Sequence, residues 1–119
     1  LASVLSVATG IPTVVARKRS YGLDFETVVD QSTGYSKGSI WINDVNPGEK
    51  ILVVDDVVST GGTMEAVLTA LEARGAILSE VWTIFEKDDG MKKLIEKHDW
   101  PMKSLVRIEM KGAEVNILH

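Results

Sequence analysis

Lys50-Ile51-Leu52-Val53-Val54-Asp55-Asp56-Val57-Val58-Ser59-Thr60-Gly61-Gly62-Thr63 is the stretch on which the fold turns. Its first five residues form a continuous aliphatic run, the pattern of a strand covered on both faces of a parallel sheet. Asp55 and Asp56 sit at the carboxyl end of that run, and Ser59-Thr60-Gly61-Gly62 has turn chemistry. Met64, Val67, Leu68 and Leu71 then recur at helical spacing, and Gly75 closes the helix. Strand, glycine-rich turn and helix in this order are the unit from which open α/β sheets are built.

Working outward, Leu1, Val4, Leu5 and Ala8 have the spacing of a short helix that stops at Gly10. After Ile11-Pro12 a strand is expected from Thr13 to Ala16, ending in Arg17-Lys18-Arg19. Gly22, Asp24, Gly34 and Gly38 punctuate the polar stretch that follows, with an extended interlude near Glu26 to Asp30. Such a stretch is a candidate mobile loop. Ser39-Ile40-Trp41-Ile42-Asn43 alternates like an edge strand, and Asn46-Pro47-Gly48 is a strong turn signal. Beyond Gly75 a strand is expected across Val81 to Phe85, a short helix from about Met91 to Lys97, and terminal strands at Leu105 to Glu109 and Val115 to Ile117. The expected architecture is one domain over residues 1–119, an open, mainly parallel sheet flanked by helices.

Composition narrows the function classes. The 119 residues suffice for one modest core, and 45% hydrophobic with 25% charged residues is ordinary for a globular domain. No apolar run approaches the length of a membrane-spanning helix, so no membrane role is expected. With 17 acidic and 13 basic residues the net charge is −4, which offers no global basic field for nucleic acid. The chain has no cysteine, which excludes disulfides, thiolate metal sites and a cysteine nucleophile. A cytoplasmic location is the expectation.

The chemistry concentrates beyond the strand's carboxyl end, where open sheets bind ligands. Gly61 and Gly62 let the backbone turn tightly and present N–H groups to one phosphate. Ser59, Thr60 and Thr63 add hydroxyl donors, and the helix that follows brings its positive end. Two adjacent carboxylates cannot help to hold that phosphate. Asp55 and Asp56 need sugar hydroxyls that donate to them, or a hydrated divalent cation. A sugar phosphate with magnesium satisfies both halves. A response-regulator receiver also opens with an acidic pair after an aliphatic strand, but too few residues follow Asp56, and the Ser59 to Thr63 turn would be unexplained. A P-loop hydrolase fails because no lysine stands beside Thr63. His98 and His119 have no second ligand at metal spacing, and Trp41, Trp82 and Trp100 are expected in the core or an interface.

The thirteen residues from Ile51 to Thr63 match the phosphoribosyl-pyrophosphate (PRPP) motif of type I phosphoribosyltransferases. Gly10-Ile11-Pro12, Arg17 to Gly22, Thr33-Gly34-Tyr35-Ser36-Lys37-Gly38 and Leu105 to Glu109 extend the similarity to the archaeal hypoxanthine/guanine subfamily. The resemblance implies the type I phosphoribosyltransferase fold with its first segment missing, since the family's N-terminal part has no counterpart in this chain.

By the same resemblance, Asp55 and Asp56 hold the ribose hydroxyls and, through those hydroxyls or water, Mg²⁺. Ser59, Thr60, Gly61, Gly62 and Thr63 cradle the 5′-phosphate, and Arg17 and Lys18 face the pyrophosphate. Lys37, in the loop segment with Tyr35 and Ser36, closes over PRPP, and Lys87 reads the 6-oxo group of the base. The implied reaction transfers the 5-phosphoribosyl group from PRPP to hypoxanthine or guanine, in a homodimer. Alternatives are an adenine or xanthine enzyme of the same fold, or a regulator that binds PRPP without turnover. One departure stands out: eukaryotic-type 6-oxopurine enzymes carry an aspartate where this chain has Ser59, and a serine is no general base at neutral pH.

Overall fold

The computed structural model describes residues 1–16, 27–32, 37–42, 44–111 and 114–118. Its elements, in chain order, are α1 (Ala2–Thr9), β1 (Thr27–Ser32), β2 (Lys37–Ile42), β3 (Lys50–Val58), α2 (Gly62–Ala73), β4 (Ile77–Lys87), α3 (Gly90–His98), β5 (Met102–Lys111) and β6 (Glu114–Leu118). They fall into two compact units, Leu1–Lys50 with Gly62–Ile77, and Ile51–Gly61 with Leu78–His119. No helix among the described residues is long and apolar enough to cross a membrane.

In the first unit α1 ends on Gly10, whose left-handed backbone (φ 74°) returns its N–H to the Ser6 carbonyl at 2.9 Å. β1 and β2 pair antiparallel, with Thr27 opposite Ile42 and Ser32 opposite Lys37, so the interlude near Glu26 to Asp30 and the alternating segment after Lys37 are partners. Pro47 and Gly48 occupy the centre of a turn in which Glu49 N–H donates to Asn46 O and Gly48 has a φ of 83°. α2 packs against β1 and buries Met64, Leu68 and Leu71, three of the four apolar positions that its spacing predicts to face inward. Arg74 Nε donates to Val45 O and Gly48 N–H to Gly75 O, which ties the turn to the end of α2.

The second unit is a four-stranded sheet in the order β3-β4-β5-β6. β4 and β5 are parallel, and β6 folds back antiparallel onto β5. Val58, Val81, Thr83, Met91, Leu94, Trp100 and Met102 are its buried side chains among the described residues. The buried Trp100 ring stacks on the half-buried His98 with centroids 3.9 Å apart. Trp82 is half-buried and donates through Nε1 to Glu80.

Two expectations need correction. Residues 11–16 form no strand. Pro12 has no N–H to donate, and an extended segment becomes a strand only when a neighbour takes up its backbone groups; neither described sheet includes these residues. The aliphatic run of β3 is a strand but is not covered on both faces: Leu52 is 51% exposed and Val57 42%. β3 is an edge of the described sheet, so one side of it lacks a neighbouring strand. The strand continues through Asp55 and Asp56 to Val58, so the two carboxylates lie near its carboxyl end, as expected.

Candidate active site

β3 and β4 are neighbours in the sheet, and the chain leaving each carries candidate chemistry. After β3 comes the turn at residues 59–61, exposed at Ser59 and Thr60 and buried at Gly61. Gly61 has a φ of 87°, a backbone conformation that side chains with a Cβ rarely adopt. α2 starts at the next residue, so the Gly62 and Thr63 amides belong to its first turn, where backbone N–H groups have no helical acceptor.

After β4, which ends on Lys87, come Asp88 and Asp89 and then the first residue of α3, Gly90. Gly90 lies directly on the backbone of the turn. A Cβ built on it would collide with the Ser59 carbonyl oxygen and would lie 2.8 Å from the Ser59 carbonyl carbon and 3.0 Å from that of Thr60. The segment after β4 therefore touches the segment after β3, and the carboxyl ends of the two strands lie at one edge of the sheet. Asp55, Asp56 and residues 59–61 lie on the β3 side of that contact and Lys87 on the β4 side.

Both carboxylates accept backbone hydrogen bonds at 2.8 Å, Asp55 Oδ1 from the Asp56 N–H and Asp56 Oδ1 from the Val57 N–H. Partial burial of its carboxyl group pushes Asp55 above the ordinary carboxylate value. The hydrogen bond from the Asp56 N–H works against that rise, while the Asp56 carboxyl adds to it by hydrogen bonding and by charge repulsion. A hydroxyl donor or a cation set against the two carboxylates would offset both the burial and the repulsion. Among the described residues, no group of three or more His, Asp or Glu side chains converges on a metal position.

The end of β4 is fixed by three side-chain contacts. Glu86, whose side chain is 13% exposed, accepts from Ser104 Oγ at 2.6 Å and faces Arg107 Nε at 3.4 Å. Thr83, buried in the sheet, donates to Phe85 O at 3.0 Å. Lys87 itself is half-buried. Asp89 is taken up by Lys93 at 3.2 Å, an exposed ion pair of small energetic weight.

Arg17, Lys18, Arg19, Tyr35 and Ser36 lie outside the described residues, and Lys37 is placed only as the first residue of β2, in the other unit. Gly90, Leu94, Thr83 and Glu86 did not emerge from the sequence as site residues. Phe85-Glu86-Lys87 and the glycine two residues after Asp88 were visible, but a glycine needed for a close backbone approach looks the same in sequence as one that starts a helix.

Comparison with known proteins agrees with this arrangement. The chain is 52% identical over 118 residues to a hypoxanthine/guanine phosphoribosyltransferase of Ferroglobus placidus, an alignment that covers 99% of this chain and 63% of that protein. It is 46% identical to the protein of the same name from Methanocaldococcus vulcanius, covering 64% of it. This chain therefore spans somewhat less than two thirds of the length of the curated relatives it matches. Among solved structures, the adenine phosphoribosyltransferase of Thermoanaerobacter pseudethanolicus superposes with a TM-score of 0.75 at 27% identity, over 88% of this chain and 62% of that one. That of Saccharomyces cerevisiae, solved with adenine and an imino-altritol bisphosphate, gives 0.73 at 25% over 86% of this chain. The family described as the phosphoribosyl transferase domain matches residues 1–117, nearly the full length over which the carboxylate pair and its glycine turn are set at the sheet edge, and the chain belongs to that family.

Proposed function

We propose that the chain is the greater part of a purine-salvage enzyme that transfers the 5-phosphoribosyl group from PRPP to N9 of hypoxanthine or guanine, releasing pyrophosphate and giving IMP or GMP. The observation that carries this reading is the strand-end pair Asp55–Asp56 followed by the Ser59 to Thr63 turn, in a chain whose relatives bear that name at 42% to 52% identity.

The two carboxylates accept hydrogen bonds from the ribose 2′- and 3′-hydroxyls, which offset the burial and the repulsion that hold Asp55 high. The amides and hydroxyls of Ser59, Thr60, Gly61, Gly62 and Thr63 take the 5′-phosphate, and the helix that starts at Gly62 adds its positive end. Arg17 and Lys18 neutralise charge gathering on the pyrophosphate. Lys37 and its neighbours Tyr35 and Ser36 close over the sugar and keep water from an oxocarbenium-like centre. Lys87 donates to the 6-oxo oxygen of the base. In the transfer the C1′–O bond breaks with its electron pair leaving on pyrophosphate, and the C1′–N9 bond forms as the base loses its proton to the departing pyrophosphate or to water.

Asp55 and Asp56 fit a role toward Mg²⁺ that passes through ribose hydroxyls or water, because their repulsion favours an added positive charge. When bound, Mg²⁺ supplies charge neutralisation to the pyrophosphate oxygens. The working form is taken to be a cytoplasmic homodimer.

A second reading, adenine as the base, is favoured by the adenine phosphoribosyltransferases among the structural neighbours and by Ser59 in place of an aspartate at the ring. The deciding experiment is pyrophosphate release with Mg²⁺ and PRPP against hypoxanthine, guanine, xanthine and adenine in turn, in this chain and in the longer protein. Turnover confined to hypoxanthine and guanine is expected, and turnover confined to adenine or xanthine moves the substrate. Saturable PRPP binding without release of pyrophosphate from any base makes the protein a regulator. Asp55→Asn with Asp56→Asn should lower kcat by at least ~100-fold while the circular dichroism spectrum stays unchanged.

A further inference from the structure

The turn at residues 59–61 has a partner that its own sequence does not announce. Gly90 is buried at the start of α3, and its α-carbon faces the Ser59 and Thr60 carbonyl groups so closely that no side chain fits between them. Four residues on, Leu94 is 4% exposed. Its Cδ1 and Cγ lie 3.0 and 3.2 Å from the point where a Cβ on Gly61 would be, and the Gly90 carbonyl oxygen is 3.4 Å from the same point. One helical turn of α3 therefore presents a bare backbone at Gly90 and an apolar side chain at Leu94, and the turn presents Ser59 to the first and Gly61 to the second. Each side of the fit needs a glycine: Gly90 lies against the backbone of Ser59 and Thr60, and Gly61 lies against the Leu94 side chain. All of these residues belong to the same compact unit.

Resting on the reading of this turn as the 5′-phosphate cradle, we propose that Gly90 and Leu94 are positioning residues. Seated on the turn, they hold its backbone in the conformation that aims its amides at the phosphate. The cradle's shape is then set by α3 as well as by its own glycines. Lys87, the candidate reader of the base, stands three residues before Gly90, so the segment that reads the base also carries the brace of the cradle.

The test compares variants that remove buried apolar atoms from the same helix. Leu94 touches the turn, whereas Met91, 2% exposed, lines the groove between α3 and β5. Leu94→Ala, Leu94→Met, Gly90→Ala and Met91→Ala are followed by amide hydrogen exchange at residues 60–62 without ligand, each at the same interval below its own melting temperature, and by calorimetric titration with PRPP and Mg²⁺. Leu94→Ala should speed exchange in the turn and weaken PRPP about tenfold. Leu94→Met should restore both, Met91→Ala should move neither, and Gly90→Ala, where it folds, should weaken PRPP at least as much as Leu94→Ala.

Equal exchange at residues 60–62 in Leu94→Ala and Met91→Ala overturns the brace, as does faster exchange in Leu94→Ala with unchanged PRPP affinity. Failure of the unmodified protein to bind PRPP removes the phosphate reading instead, and the exchange comparison still decides whether α3 braces the turn.

Discussion

At the scale of single residues, the Asp55–Asp56 pair sets two carboxyl groups side by side at a cost in stability. Burial and the neighbouring carboxyl raise the Asp55 value in the native state, so the folded chain holds a proton that the unfolded chain releases at lower pH. Between the ordinary carboxylate value and that raised value, stability falls as pH rises. Above the raised value the penalty is complete and constant. Asp55→Asn removes it while keeping an acceptor for the Asp56 N–H, so the variant should be more stable than the parent at neutral pH. Its stability should also vary less with pH through the acid range, as read from urea unfolding at a series of pH values. A variant less stable than the parent at pH 7 would show that the pair is already compensated in the native state. The residue types and their adjacency were legible in the sequence. The direction in which Asp55 is pushed was not, because it depends on what encloses the carboxyl group.

At the scale of elements, the helices and their stops follow local rules. α2 begins on Gly62 and the chain turns at Gly75, as apolar spacing and glycine placement anticipate, because a 3.6-residue period and a left-handed stop are properties of a short stretch of chain. Gly75 also has a tertiary reason to lack a side chain. Its φ is 88°, and a Cβ would lie 3.0 Å from Pro47 Cβ. Gly75→Ala should cost about 1–2 kcal/mol in urea unfolding, with the slope of the transition unchanged. Strands were less legible. Residues 11–16 have the composition of a strand but no paired neighbour in either described sheet, and β4 runs over 77–87 where the core pattern showed only Val81 to Phe85. Strand ends are set by the neighbour's length and register, which no local window contains.

At the scale of the whole molecule, each unit buries a small set of apolar side chains. Leu68 is fully enclosed in the first, and Leu68→Ala should cost about 2–5 kcal/mol by the lost burial and the cavity left behind, measured as a fall in the urea midpoint. A cost below about 1 kcal/mol would mean that the surroundings collapse into the space. By itself the sequence determined the α/β class, the helix after the glycine turn, and the adjacency of the two carboxylates to that turn, since these are written in consecutive residues whose types and periods act locally. The tertiary structure alone decided that the chain leaving β4 lies on the chain leaving β3. It also decided that Gly90 and Leu94 press on the turn at residues 59–61, that β3 stands at an edge of the described sheet, and that Glu86 is pinned between Ser104 and Arg107. Each of these joins segments distant in sequence, and the free energy that joins them comes from packing and backbone pairing across the sheet, which no single segment can express.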